Sequence, residues 1–320
     1  MLGCSGGRSP GLELTSLLVD ENVLIDAGGA ASSLPLDQQE QITDVVVTHA
    51  HLDHILGIAL IFDNTRHSRS RPLTIHATEP VIRNIREHLL VPSIYPGAHR
   101  GEADPPGLHF HAVALEIPFR VGTIEFEALP VNHSTGAVAL RFSDLGLTAF
   151  FTGDTGPTDR IWEWLRKNGK IDCLLAEVSF PDRMAELAKI SGHLTPSSLI
   201  ESLKKAEAHP DRKVHLVHLK PAFMGELLDE IEAPQPVEAL WGAVTAADVR
   251  IEGGVATLTQ NGKSMRVRIL QAPEGAKWEV VSTQPPAPQR RNEGARKLVV
   301  RLPEKVSKAV FEVAFEPVRP

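Results

Sequence analysis

Two cysteines in 320 residues, Cys4 and Cys173, leave no room for a disulfide framework. Their scarcity fits a reducing compartment. No run of about 18 apolar residues occurs, so no membrane-spanning helix is expected. The start of the chain has no basic segment followed by an apolar one, so it does not read as a secretory leader. Met1-Leu2-Gly3-Cys4 has the end of a lipoprotein cleavage box without the apolar stretch that should precede it. The expectation is a cytoplasmic protein, or a periplasmic one had a leader been removed. No internal repeat and no long low-complexity segment interrupts the chain.

Positive charge is in short supply where it would matter for nucleic acid. The net charge is −7. Residues 236–320 carry 13 Lys and Arg against 9 Asp and Glu, a net +4, which leaves the rest with 20 against 31, a net −11. An acidic body argues against nucleic-acid partners, which need Lys and Arg to neutralise phosphates. Histidine is absent from the last 102 residues, and all 14 histidines lie between positions 49 and 218. Metal or acid–base chemistry therefore belongs to the first part of the chain.

The rest is ordinary for a globular protein, at 42% hydrophobic and 23% charged, with length enough for two domains. Residues 12–18 and 22–26 read as a hairpin, and 43–47 as a buried strand. An apolar helix is expected over 55–62, a strand over 72–76 and an amphipathic helix over 79–90. The Pro- and Gly-rich stretch 92–108 reads as a long functional loop. Strands follow at 122–130, 137–143 and 147–152, a helix at 158–168 and a strand at 171–176. Thr195 as N-cap and Pro196 in the first turn start a helix to about Ala206. A strand at 213–217 and a helix at 223–231 complete an α/β layered domain over 1–235. From 236 the segments 248–252, 255–260, 264–270, 277–282, 297–302 and 309–315 alternate apolar and polar residues between turns such as Asn261-Gly262. They read as an all-β accessory domain, 236–320, with a polar loop at 284–295.

His49-Ala50-His51-Leu52-Asp53-His54 is the segment with the most chemistry. Three imidazoles and a carboxylate in six residues are ligands suited to Zn, Mn and Fe. In an extended turn His49 and His51 point the same way, while Asp53 and His54 fall on an entering helix and can face a second ion. One segment thus feeds two adjacent sites.

Thr48 to His54 resembles the signature of the metallo-β-lactamase superfamily. That resemblance implies a four-layer αββα sandwich with two metal ions at one edge of its sheets. It also implies further ligands in order: His133 in Val131-Asn132-His133-Ser134, Asp154 in Phe151-Thr152-Gly153-Asp154-Thr155, and His218 after strand 213–217. His215 competes with His218, but only His218 stands at the strand's end. Site one would be His49, His51, His133 and Asp154; site two would be Asp53, His54, His218 and Asp154. Asp53 doubles as a catalytic residue. True lactamases generally carry a cysteine near the bridging position, whereas Cys173 reads as core. Asp26 is a candidate brace for the metal loop, or a turn-capping residue.

Ser191-Gly192-His193-Leu194-Thr195-Pro196, with Ala176 to Phe180 before it and His218-Leu219-Lys220-Pro221 after it, resembles the class II cyclic-nucleotide phosphodiesterases. The resemblance implies a small-molecule phosphodiester substrate and a catalytic His193 outside the ligand set. tRNA 3′-processing endonucleases carry a related histidine, and hydrolysis of another ester or thioester is a further alternative. Partners left open are a second copy of the chain and, through the β module, a carbohydrate or a protein. That module, Trp241 to Pro317, loosely resembles the β-sandwich ends of heparinase-type lyases.

Overall fold

The computed structural model describes residues 1–95, 107–168, 171–206, 214–231, 240–282, 296–304 and 311–318. The backbone divides into two compact units, Met1–Glu230 and Ile231–Pro320. Among the described residues, no helix is long and apolar enough to cross a membrane.

In the first unit, β1 (Ser16–Asp20) and β2 (Val23–Ala27) form a hairpin. Short helices α1 (Ala30–Ser33) and α2 (Leu36–Gln41) lead to β3 (Asp44–Val46), α3 (Leu52–Thr65) and β4 (Leu73–Ala77). Helix α4 (Glu79–Asn84) runs into a π-helical turn, Ile85–Leu89, before β5 (Leu108–Ala112). These strands make one sheet in the order β1-β2-β3-β4-β5, with β2 to β5 parallel. The second sheet runs β11-β10-β9-β8-β7-β6. It is built from β6 (Phe119–Val121), β7 (Ile124–Pro130), β8 (Val138–Asp144), β9 (Leu147–Phe151), β10 (Cys173–Glu177) and β11 (Val214–Val217). Its helices are α5 (Arg160–Asn168), α6 (Ala185–Ser191), α7 (Pro196–Lys205) and α8 (Met224–Glu230).

Period-two alternation sorts the strand residues between two cores. Leu24, Val45 and Val47 pack outward against Ile58, Ile61 and Phe62 of α3. Their neighbours Ile25 and Val46 point inward, against Phe126, Leu140, Phe151 and Val217 of the second sheet. Ile161, Trp162 and Leu165 of α5 are buried, and Phe150 of β9 meets Trp164 at 5.8 Å. The layers are helix, sheet, sheet, helix: an αββα sandwich. Each fully buried apolar side chain contributes roughly 1.5–3 kcal/mol.

The second unit is all β. Strands β12 (Leu240–Thr245), β17 (Arg296–Arg301) and β16 (Lys277–Ser282) form one sheet. Strands β13 (Asp248–Glu252), β14 (Val255–Gln260), β15 (Lys263–Gln271) and β18 (Glu312–Val318) form another. Ala256 and Val267 from one sheet share a core with Trp278, Leu298 and Val300 from the other.

Several elements differ from expectation. The first strand begins at Ser16, because Leu12 and Leu14 make only isolated bridges. Helices α1, α2 and α6 have four to seven residues, too few for a period of 3.6 to show. Strands β5, β6 and β12 were also not anticipated. Most of the loop read at 92–108, and that at 284–295, lie outside the described residues.

Candidate metal centre

Most site residues stand where a strand ends, while Asp53 and His54 open α3. His49 follows β3, His133 follows β7, Asp154 follows β9 and His218 follows β11, while Glu177 is the last residue of β10. In open α/β sheets the carboxyl ends of strands are where ligands bind. His49, His54, Asp154 and His218 are buried, His51 is exposed, and Asp53 and His133 are half-buried.

The side chains converge in groups whose ligand atoms lie within 4.8 Å of one another. One group is His49, His51, His133 and Asp154, and another is Asp53, His54 and His218. Asp154 joins them: its Oδ2 lies 3.5 Å from His49 Nε2 and 3.1 Å from His218 Nε2, and its Oδ1 lies 3.4 Å from His54 Nε2. His218 Nε2 is also 3.0 Å from Asp53 Oδ2. His215 is exposed on β11 and outside the cluster.

The far side of each ring fixes which nitrogen faces the centre. His54 Nδ1 donates to Asp26 Oδ2 at 2.7 Å, and His133 Nδ1 donates to the Gly192 carbonyl at 2.8 Å. Ser179 Oγ donates to Glu177 Oε2 and so accepts from His218 Nδ1, both at 2.8 Å. The Nε2 lone pairs of all three rings are therefore left for the centre. His49 Nε2, His54 Nε2 and Asp154 Oδ1 are buried with no hydrogen-bond partner. An unsatisfied buried polar atom costs about 1–3 kcal/mol. The three converge on one place, where a bound cation would answer all of them at once. The donor set of imidazole nitrogens and carboxylates fits Zn, Mn or Fe.

Asp26, wholly buried, holds this loop. Its Oδ1 accepts the Thr48 N–H and its Oδ2 the Thr48 hydroxyl, each at 2.8 Å, besides the proton of His54. Asp26 and His218 both have positive φ, at 51° and 62°. Such strain at non-Gly residues clusters at functional sites. A Cβ on Gly28 would come within 1.8 Å of the Asp53 carbonyl, so only glycine lets β2 pass the metal loop. Gly192, at φ 70°, ends α6 and turns its carbonyl to His133.

The electrostatics follow from burial and from Asp154. Burial, with His218, His54 and His49 acting against it and prevailing, leaves Asp154 well below the carboxylate range. Burial opposes the charged form of His54, but Asp154 and Asp26 together push it well up. Burial takes His133 down to about 4.

His193 stands beside the cluster. Its ring lies nearly parallel to His218, with centroids 5.2 Å apart. Its Nδ1 is 3.2 Å from Glu177 Oε1 and 4.0 Å from Asp154 Oδ2. With Asp154 and His218 it forms a third group of the same compactness. Glu177 lies in the Ala176 to Phe180 segment of the resemblance but was not assigned a role from sequence. It is wholly buried and accepts from Ser179 and from the Leu194 N–H. Burial and the Asp154 charge push it up to about 8.

An αββα sandwich with this His and Asp cluster at its strand ends is the arrangement of a metallo-β-lactamase-fold hydrolase. The chain belongs to the β-lactamase superfamily domain family, whose model matches residues 21–235. It is 28% identical over 274 residues to a probable 3′,5′-cyclic-nucleotide phosphodiesterase of Yersinia pestis, covering 69% of this chain and 78% of that one. It is 26% identical over 272 residues to a 3′,5′-cyclic-nucleotide phosphodiesterase of Aliivibrio fischeri, covering 68% and 80%. Among solved structures, unliganded yeast PDE1 shares the fold with a TM-score of 0.58 at 17% identity, over 72% of this chain and 91% of that one.

Proposed function

We propose that the protein is a dinuclear metal-dependent phosphodiesterase acting on 3′,5′-cyclic nucleotides, cyclic AMP among them. The observation that carries this reading is His193, a buried imidazole beside the ligand cluster and backed by Glu177. The names of the relatives and the acidic first unit support a small phosphodiester over tRNA. His49, His51, His133 and Asp154 would hold one ion, and Asp53, His54 and His218 the other, with Asp154 shared. Bound there, two divalent ions would supply Lewis acidity at the phosphoryl oxygens and water acidic enough to attack at neutral pH.

The chain's own residues do the rest. Asp26, Ser179 and Gly192 fix the tautomers of His54, His218 and His133, so each ring presents Nε2 without rearrangement. Glu177 engages His193 Nδ1 and leaves Nε2 to the substrate. As water attacks phosphorus and the bond from phosphorus to the 3′-oxygen breaks, the imidazolium form of His193 gives its Nε2 proton to that oxygen, and the proton the water loses passes to solvent, from which His193 is reprotonated. Burial works against the charged form of His193, which makes its imidazolium a stronger acid but the less populated form at neutral pH.

The test is to load the protein with zinc or manganese and assay cyclic AMP, cyclic GMP, bis(p-nitrophenyl) phosphate and a thioester. Turnover of the phosphodiesters is expected; thioester turnover alone would sink the reading. His193→Ala should keep its full metal content by atomic absorption and lose about 10²–10⁴-fold in kcat. Loss of metal in that variant would instead make His193 a ligand, through its group with Asp154 and His218.

A further inference from the structure

The metal loop has a second face. Ala50 stands between His49 and His51, and Leu52 between His51 and Asp53. These two, with Ile55 of α3 and Asn84, His88 and Leu89, line a cavity of about 320 Å3. Consecutive Cα atoms are about 3.8 Å apart, so the cavity wall begins one residue from the ligand cluster. Leu52 is 60% exposed, while Ile55 and Leu89 are buried. Across from them stand two polar side chains. Asn84 ends α4, and His88 is exposed on the π turn. That turn is closed by the Leu90 N–H bonding to the Ile85 carbonyl at 2.9 Å, five residues back. Such insertions recur at functional sites. Among the described residues neither the Asn84 amide nor the His88 ring has a hydrogen-bond partner, so both are available to a ligand.

A largely apolar cavity near 300 Å3 with a few convergent polar groups has the make-up of a small-molecule subsite. The chemistry of its lining selects the ligand. A nucleobase has apolar faces, suited to Leu52 and Ile55, and an edge of donors and acceptors. The Asn84 amide offers one donor and one acceptor side by side, the pairing an amide makes with a purine edge. His88 adds a second group able to give or take a hydrogen bond. In a nucleotide the base is also the part that lies one sugar away from the phosphate.

We propose that this cavity is the nucleobase subsite, with Asn84 and His88 reading the base and Leu52 covering it. The proposal rests on the phosphodiesterase reading and assigns the specificity of that same site.

The experiment is isothermal titration of the full, zinc-loaded chain with 5′-AMP, 5′-GMP and ribose 5-phosphate, which lacks a base. At least one nucleotide should bind about tenfold or more tightly than ribose 5-phosphate. Asn84→Ala and His88→Ala should each shrink that ratio several-fold, and Leu52→Asp should bring it near one. Because ribose 5-phosphate reports the phosphate site in every variant, a general loss of folding lowers both affinities and leaves the ratio unchanged. Equal binding of all three ligands by the unaltered protein, or a ratio indifferent to the substitutions, overturns the subsite. Turnover of cyclic nucleotides is scored separately. Its absence with an intact ratio removes the phosphodiesterase reading while leaving the base subsite standing.

Discussion

Asp26 makes three hydrogen bonds at once, two to Thr48 and one to His54, from a backbone held at φ 51°. Holding a non-glycine residue there costs on the order of 1–3 kcal/mol, offset by what the carboxylate fixes in place. Asp26→Ala frees the His54 ring and leaves two Thr48 donors buried. Zinc affinity, read by competition with a chromophoric chelator, should fall about 10–100-fold. Unchanged affinity would show that the metal loop holds its shape unaided. From sequence, Asp26 was equally readable as a turn cap, since an Asp where a strand runs into Gly28-Gly29 serves both purposes. His49 to His54 was far more legible, because three imidazoles and a carboxylate in six residues have few other uses. His218 stood out over His215 only by its place at a strand's end, which is also where it joins the cluster. Glu177 and Ser179 lay in the Ala176 to Phe180 segment that helped carry the resemblance, but neither was given a role. Their roles depend on strand ends meeting, and contacts such as Glu177 to His193 or Ser179 to His218, 16 and 39 residues apart, are invisible to spacing.

Among the elements, the parallel strands β3, β4 and β5 are tied together by side chains. His76 Nε2 donates to Asp44 Oδ1 at 2.7 Å, and its Nδ1 lies 3.1 Å from His111 Nδ1. Thr43 adds a hydroxyl to the other Asp44 oxygen at 2.7 Å. Burial works against the ionised carboxyl, but His76 and Thr43 favour it more, and it rests below its ordinary range. A depressed carboxyl stabilises the fold above its unfolded pKa of about 3.9, and that stability fades as pH falls through the lower, folded value. Asp44→Ala should therefore destabilise by roughly 1–2 kcal/mol at pH 7. In urea titrations the gap between variant and parent should close below about pH 4. A gap that stays constant to pH 2 would mean the carboxylate charge is irrelevant to it. Most of the longer elements were legible, since β2, β3 and the β7-β8-β9 meander carry their own apolar patterns. The short helices α1, α2 and α6 were not, and neither was β5, whose Leu-His-Phe-His-Ala mixes polar residues into an edge strand. Such elements are selected by the packing of the whole sandwich rather than by local propensity.

At the scale of the whole molecule, the metal centre joins distant parts of the first unit. His49 to His54, His133, Asp154 and His218 come from both sheets, and a bound cation would satisfy the buried polar atoms they turn inward. Metal binding is then folding free energy for Met1–Glu230. At a free-metal concentration 100-fold above Kd it adds about 2.7 kcal/mol. The second unit has a core of its own around Trp278, Leu298 and Val300, and it contains no histidine. Differential scanning calorimetry should accordingly resolve two transitions. Chelation with EDTA should lower one of them by several degrees, and zinc should restore it. The other should stay in place, because Ile231–Pro320 has neither histidine nor cysteine. A single transition that moves as a whole would instead mean that the two units unfold as one cooperative body, with the metal stabilising both.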